Sequence, residues 1–176
     1  FEEIAARVGL DLDGGSSSAV FADLVNDGDQ DVIVGRTATA TRYLMNERGR
    51  FVDRSVTHVD GDLPKLVSSV SAADFDGDGL LDIYLSTYVA GLLEETLRHV
   101  AQGRIPPTDR IAGDFLPEAD AKALYALTQA PGFHVTFNKP GPPNVLLRNL
   151  GGGRFARVAD PAANVWRNTY QATWAD

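Results

Sequence analysis

The chain has 176 residues, of which 44% are hydrophobic, which is the size and composition of one globular domain with its own core. It has no cysteine, which excludes disulfide scaffolds and cysteine-ligated zinc, and no apolar run nears the roughly 18 residues of a membrane-spanning helix. With 16 basic and 24 acidic residues, the net charge of -8 repels phosphate backbones, so nucleic acid is not expected as a partner.

The chain begins with a repeat built around an acidic segment, residues 23–31. An alternating run over residues 19–22 leads into this segment, and an apolar run over residues 32–34 follows it. Two further short strands are predicted at 43–45 and 51–56, on either side of a glycine turn. The first repeat therefore reads as four short strands with an acidic loop between the first two.

A second copy of the acidic segment follows, because residues 70–85 align with residues 19–34 at an offset of 51. Its apolar strand is predicted at 83–85, and its last two strands at 145–147 and 155–158. Residues 172–176 repeat the approach to an acidic loop. Asp176 is then predicted to be the first ligand of a truncated third loop.

An insertion interrupts the second repeat. Asp31 precedes Asn46 by 15 residues, whereas Asp82 precedes Asn149 by 67, which places about 50 extra residues after Val89. Helix-forming residues dominate 92–101 and 118–130, so a helical insertion is predicted at about 91–138, outside the sheets. Its apolar stripes are interpreted either as packing surfaces or as a cap that binds a partner or ligand.

Four short strands in a period near 50 residues predict an all-β fold, part of a β-propeller with about two and a half to three blades. The domain is predicted to span 1–176, with repeats at about 1–50, 51–154 and an incomplete 155–176. A closed ring needs four or more blades. We therefore expect the remaining blades from a longer chain or from other subunits.

The second acidic loop, residues 74–82, has the ligand pattern of a calcium site. Carboxylates occupy positions 1, 3, 5 and 9, and the residue at position 7 offers its backbone carbonyl; in order, these predicted ligands are Asp74, Asp76, Asp78, Asp82 and Leu80. Calcium takes six to eight oxygen ligands, which such a loop and water could supply. The flanks are strand-like, and position 12 is Leu85 rather than the glutamate of an EF-hand. The alternative is an acidic turn without an ion.

The first acidic loop, residues 23–31, keeps part of this pattern. Asp23, Asp27 and Asp31 occupy positions 1, 5 and 9, but Val25 replaces the carboxylate at position 3. Asp29 occupies position 7, and its side chain is expected to point to solvent. We predict weaker calcium binding here, and the alternative is an empty structural turn.

These motifs resemble the FG-GAP (VCBS-type) repeat proteins, which form integrin-α-like β-propellers, and in particular bacterial relatives of cartilage acidic protein. The resemblance rests on residues 1–10, the loop 74–82, the strand 143–149 and the turn at 154–155, and it covers 1–90 and 143–176. It implies a seven-bladed propeller, exported or displayed, that binds calcium structurally in its loops. Other surfaces of such propellers contact ligands.

The predicted function is a non-catalytic calcium-binding module with calcium as its cofactor. It is expected to be secreted, periplasmic or at the cell surface, where it would act in adhesion or bind a protein or carbohydrate ligand. The alternative is a propeller that scaffolds a secreted enzyme acting on polysaccharides or phosphoesters. No convergent acid and base pair in the sequence supports that alternative.

Overall fold

The structure is a computed structural model that describes residues 2–37, 39–88, 143–159 and 169–174. Within these ranges no helix is long and apolar enough to cross a membrane. The elements are, in chain order, α1 (Ala5–Val8), β1 (Ser16–Ala22), β2 (Asp31–Arg36), β3 (Arg42–Asn46), β4 (Phe51–Asp53), β5 (Val59–Asp60), β6 (Val67–Ala73), β7 (Asp82–Thr87), β8 (Val145–Asn149) and β9 (Phe155–Arg157).

The strands form two sheets, which confirms the predicted all-β fold. The first sheet has the order β1-β2-β3-β4, and the second has the order β5-β9-β8-β7-β6. Each contains an antiparallel meander of four strands, as expected for two blades of a partial propeller. The short strand β5 was not predicted; it lies parallel to β9 at the edge of the second sheet. The fourth strand of each meander is shorter than the sequence pattern suggested.

The sequence repeat is a structural repeat, because both meanders pair in the same register. Val32 on β2 lies opposite Leu44 on β3, and their equivalents Ile83 and Leu147 are paired in the second sheet. Phe51, which begins the second sequence repeat, lies on β4 of the first sheet, so a sequence repeat and a sheet are offset by one strand.

The two sheets stack face to face. Ile33 and Tyr43 on the first sheet share one buried cluster with Ile83 and Leu85 on the second. The ring of Tyr43 meets that of Phe155 edge-on, with centroids 5.4 Å apart. The opposite face of the first sheet is covered in part by two residues from the segment before β1. This second cluster comprises Val32, Val34, Leu44, Leu10, Leu12 and Phe51.

One serine in each repeat joins successive blades. The Ser17 hydroxyl lies within hydrogen-bond distance of the carbonyls of Gly35, on its own sheet, and Val67, on the next. Its equivalent Ser68 contacts the carbonyls of Ser86 and Thr169 in the same way. Residues 169–174 therefore dock on the second sheet as β6 docks on the first.

Aromatic side chains complete this second junction. The ring of Trp174 stacks on Phe75, with centroids 6.4 Å apart, and meets Tyr84 edge-on at 6.2 Å. The start of a third repeat therefore packs against the second. The predicted helical insertion at about 91–138 and the predicted ligand Asp176 lie outside the described residues, and the structure gives the insertion no support.

The two sheets approach each other closely at Gly35 on β2. A Cβ atom added there would lie 2.6 Å from Val67 Cγ1 and 3.2 Å from Val70 Cγ2. Because Val67 is buried and cannot move away, Gly35→Ala is expected to lower the free energy of unfolding by about 1 to 3 kcal/mol. Urea unfolding measures this loss.

The matched control is a double-mutant cycle with Val67→Ala, which removes the nearest methyl group. If the clash is the cause, the loss in the double variant is smaller than the sum of the two single losses. Strict additivity would show that the loss in Gly35→Ala does not come from a clash with Val67.

Candidate metal centre

Three carboxylates converge in the second acidic loop, between β6 and β7. One oxygen from each of Asp74, Asp76 and Asp78 lies within 4.8 Å of the other two, and all three residues are exposed. Two oxygens bound to one calcium ion at about 2.3 to 2.6 Å can be at most about 5 Å apart. The three oxygens therefore fit the coordination sphere of a single calcium ion.

The loop is shaped by its own carboxylates. Asp74 accepts backbone N–H bonds from Gly77 (2.8 Å), Asp78 (3.0 Å) and Gly79 (2.8 Å), while Asp78 accepts one from Leu80 (3.0 Å). Gly77 and Gly79 have φ values of 75° and 87°, which favour glycine. Asp74 Oδ2 and Asp78 Oδ1 each accept only one of these bonds and keep a second lone pair, so these two oxygens can bind a cation as well.

Asp82, predicted to be a further ligand, has a different position. Its side chain is fully buried, and its two oxygens accept the backbone N–H of Phe75 (3.1 Å) and of Asn149 (2.7 Å). Burial raises the pKa of Asp82, and the two amide bonds partly oppose that increase. Asp82 ties the start of the loop to β8, and its role as a ligand, like that of the Leu80 carbonyl, stays a prediction.

Asn149 at the end of β8 connects three parts of the molecule. Its Nδ2 donates to the carbonyls of Leu24 (2.8 Å) and Leu81 (3.1 Å), and its Oδ1 accepts the N–H of Gly151 (3.0 Å). Leu24 belongs to the first acidic loop, so this buried side chain joins the two loops. The sequence identifies the asparagine as a repeated feature before a glycine turn, but it does not indicate these partners.

Arg148, one residue earlier on β8, is a member of the site that sequence reasoning missed. Its Nε lies 2.7 Å from Asp76 Oδ2, and its Nη2 lies 3.4 Å from Asp78 Oδ2. The separation of 70 residues between Arg148 and Asp78 explains the omission. Only the pairing of β7 with β8 brings them together.

The first acidic loop has the same hydrogen-bonded frame. Asp23 accepts the N–H of Asp27 (3.1 Å) and of Gly28 (2.9 Å). Asp31 is fully buried and accepts the N–H of Leu24 (3.1 Å) and of Asn46 (2.8 Å). Burial raises the pKa of Asp31, as it does for Asp82.

The first loop differs at its third position. In the described residues it forms no group of three converging carboxylates, because Val25 replaces the aspartate. A Cβ atom on Gly153 would lie 2.8 Å from Val25 Cγ1 and 2.5 Å from Met45 Cε, so the turn of the second sheet covers both side chains. The apolar side chain of Val25 therefore packs against the turn of the neighbouring sheet. Asp29 is exposed, as expected.

A groove of about 710 Å³ lies between the two sheets. The acidic loops contact Asn46 and Asn149, the last residues of β3 and β8. The groove is lined by the first residues of the same strands, Arg42 and Val145. It therefore opens at the opposite end of the sheets. Its charged lining consists of Arg42, Lys65, Arg157 and Asp62.

Comparison with protein families agrees with this geometry. Residues 23–85 match the model of the FG-GAP-like repeat, a stretch that contains both acidic loops. The chain carries an FG-GAP-like repeat. The FG-GAP-like repeat is a structural repeat rather than a catalytic family, and it typically occurs in extracellular or surface proteins.

A comparison with curated protein sequences finds no match for the chain. The narrower resemblance to integrin-like propellers and to relatives of cartilage acidic protein stays a prediction, since the FG-GAP-like repeat alone does not distinguish between these groups.

Proposed function

We propose that this chain is a calcium-stabilised, non-catalytic FG-GAP-like module whose second acidic loop binds the ion. The observation that carries the proposal is the convergence of three carboxylate oxygens within 4.8 Å of one another. Carboxylate oxygens are the ligands that calcium prefers, and the predicted contributions of Leu80, Asp82 and water would complete its coordination.

Calcium would act by stabilising the folded state. Three carboxylates at this distance repel one another, and a divalent cation removes that repulsion. Because the complete ligand set exists only in the folded loop, the gain is RT ln(1 + [Ca²⁺]/Kd), or about 1.4 kcal/mol at ten times Kd. Extracellular calcium modules have Kd values of about 10⁻⁴ to 10⁻³ M, so millimolar calcium would suffice.

The ligand-binding part of the proposal places the module outside the cytoplasm, in adhesion or in binding a protein or carbohydrate. The groove between the sheets favours this role, because it is concave and lies away from the calcium loop. The rival function, an enzyme scaffold acting on polysaccharides, would usually need two carboxylates at its site. Among the described residues, the groove lining contains one, Asp62, which favours binding over such catalysis.

Calorimetric titration of calcium into chelator-treated protein tests the proposal, with thermal unfolding followed in parallel. We expect one site with a submillimolar to millimolar Kd and a melting temperature that rises with calcium. Asp76→Asn keeps the shape of the side chain but removes a converging charge, so it should weaken binding at least tenfold and abolish most of the melting shift.

The control is Asp29→Asn, which makes the same charge change at an exposed position of the first loop. It should leave both the affinity and the melting shift unchanged. A wild-type protein that neither releases heat nor melts higher in calcium would refute the calcium function. A second binding site, lost in Asp23→Asn, would show that the first loop binds calcium despite Val25.

A further inference from the structure

The second acidic loop already faces a cation from the protein itself. The guanidinium of Arg148 contacts Asp76 through Nε at 2.7 Å and Asp78 through Nη2 at 3.4 Å. These are two of the three carboxylates that converge on the proposed calcium position. The side chain of Arg148 is 48% exposed, so it can leave these contacts without disturbing the core.

A calcium ion and this guanidinium would share the same carboxylates. Like charges a few ångströms apart repel, so the arginine must weaken calcium binding if it stays close, or be displaced from its bonds if calcium replaces it. Without calcium, the arginine offsets the mutual repulsion of Asp76 and Asp78. The ion pair therefore favours the calcium-free state.

The first repeat shows that the blade does not need this arginine. Met45 occupies the position equivalent to Arg148, and Val25 occupies the position equivalent to Asp76. Both members of the pair thus change together, from two charged residues to two apolar ones that the Gly153 turn covers. Arg148 is consequently tied to the charge of the second loop rather than to the fold of its strand.

We propose that Arg148 is an internal counter-ion that competes with calcium for the second acidic loop and thereby sets its affinity. This inference rests on the proposed calcium function. Arg148 binds no calcium itself; it positions Asp76 and Asp78 in the calcium-free state and raises the calcium concentration at which the loop fills.

The test measures calcium binding to the complete 176-residue chain and to Arg148→Met and Arg148→Gln. Methionine is the residue that the first repeat tolerates at this position, and glutamine retains polarity without charge. Both variants should bind calcium about three to ten times more tightly at low ionic strength. In chelator both should melt at a lower temperature than the wild type, because the carboxylates lose their counter-ion.

Arg7→Gln is the matched control. Arg7 is also exposed and pairs with Glu2 at 3.4 Å, but it belongs to α1 and to neither acidic loop. It removes the same net charge, so an unchanged Kd in this variant assigns the effect to the contact of Arg148 with the loop.

A second measurement needs no variant. The Nε–H resonance of Arg148 in the wild type should shift and exchange faster with water as calcium is added, because its bond to Asp76 is lost. Unchanged or weaker binding in both variants, or an unmoved Nε–H signal at saturating calcium, would overturn the proposal.

These outcomes also separate the inference from the function on which it rests. If the wild type binds calcium and the Arg148 variants bind it equally, only the counter-ion role fails. Calcium binding by the variants alone would mean that Arg148 excludes the ion from the wild-type loop, which supports competition. If none of the proteins binds calcium, both proposals fail.

Discussion

Asn149→Ala is expected to lower the free energy of unfolding by about 3 to 5 kcal/mol. The substitution removes three side-chain hydrogen bonds, to Leu24, Leu81 and Gly151, from a residue that is 1% exposed. Each lost bond costs about 1 kcal/mol, and buried partners left unpaired cost more. Denaturant unfolding in the presence of chelator measures the loss without any contribution from calcium.

Asn46→Ala is the matched control, because Asn46 is the equivalent residue of the first sheet. Its side chain donates to the carbonyl of Gln30 (3.1 Å) and accepts the N–H of Gly49 (2.7 Å), both within its own repeat. We expect a loss of about 1 to 2 kcal/mol. Equal losses in the two variants would show that the bond from Asn149 to Leu24 does not couple the loops.

Asp82→Ala is expected to destabilise the chain by about 3 to 5 kcal/mol even in chelator. Asp82 is fully buried, and truncation leaves the N–H groups of Phe75 and Asn149 without their acceptor. Asp76→Ala, in the exposed part of the same loop, should cost less than 1 kcal/mol under the same conditions. Similar losses in both variants would contradict a structural role that is specific to Asp82.

The same variant carries a signature in its pH dependence. An acid whose pKa is higher in the folded than in the unfolded chain binds more protons when folded, so its contribution to stability falls as pH rises. For Asp82, whose pKa burial raises, the window runs upward from the unfolded value of about 3.9. The stability difference between wild type and Asp82→Ala should therefore shrink as pH rises through this window.

The strands and the acidic loops could be predicted because their determinants are local. Apolar runs such as 32–34 and 83–85 identify the central strands, and the spacing of aspartates within nine residues identifies the loops. The shared register of the two sheets follows from the same repeat. The convergence of Asp74, Asp76 and Asp78 was also predictable, since all three belong to one loop.

Features that depend on distant contacts could not be predicted. Arg148 reaches Asp78 across 70 residues, most of which belong to the interval between β7 and β8. Strand β5 has two residues and no alternation, so only its partner β9 defines it. The contact of Val25 with the turn at Gly153 is of the same kind, since the spacing shows only that a carboxylate is missing at position 3.

Asp31 and Asp82 illustrate the limit of reading a loop by ligand positions. Spacing assigns both to position 9 of a calcium motif, and the structure adds that each is buried and bonded to two backbone amides, one of them on the next strand. Spacing alone does not reveal that these carboxylates also hold the fold together. Their burial does, and burial depends on the assembled sheets.

Strand β5 affects how cooperatively the molecule unfolds. It follows β4 in the chain but lies beside β9, where Val59 is opposite Phe155 and the His58 carbonyl accepts the Phe155 N–H at 2.7 Å. In arrays whose units touch only through their faces, a unit can melt while its neighbour persists. Here β5 connects directly to the first sheet and forms the edge of the second, so separating the two sheets would break the pairing of β5 with β9. The two sheets should therefore unfold in a single cooperative transition.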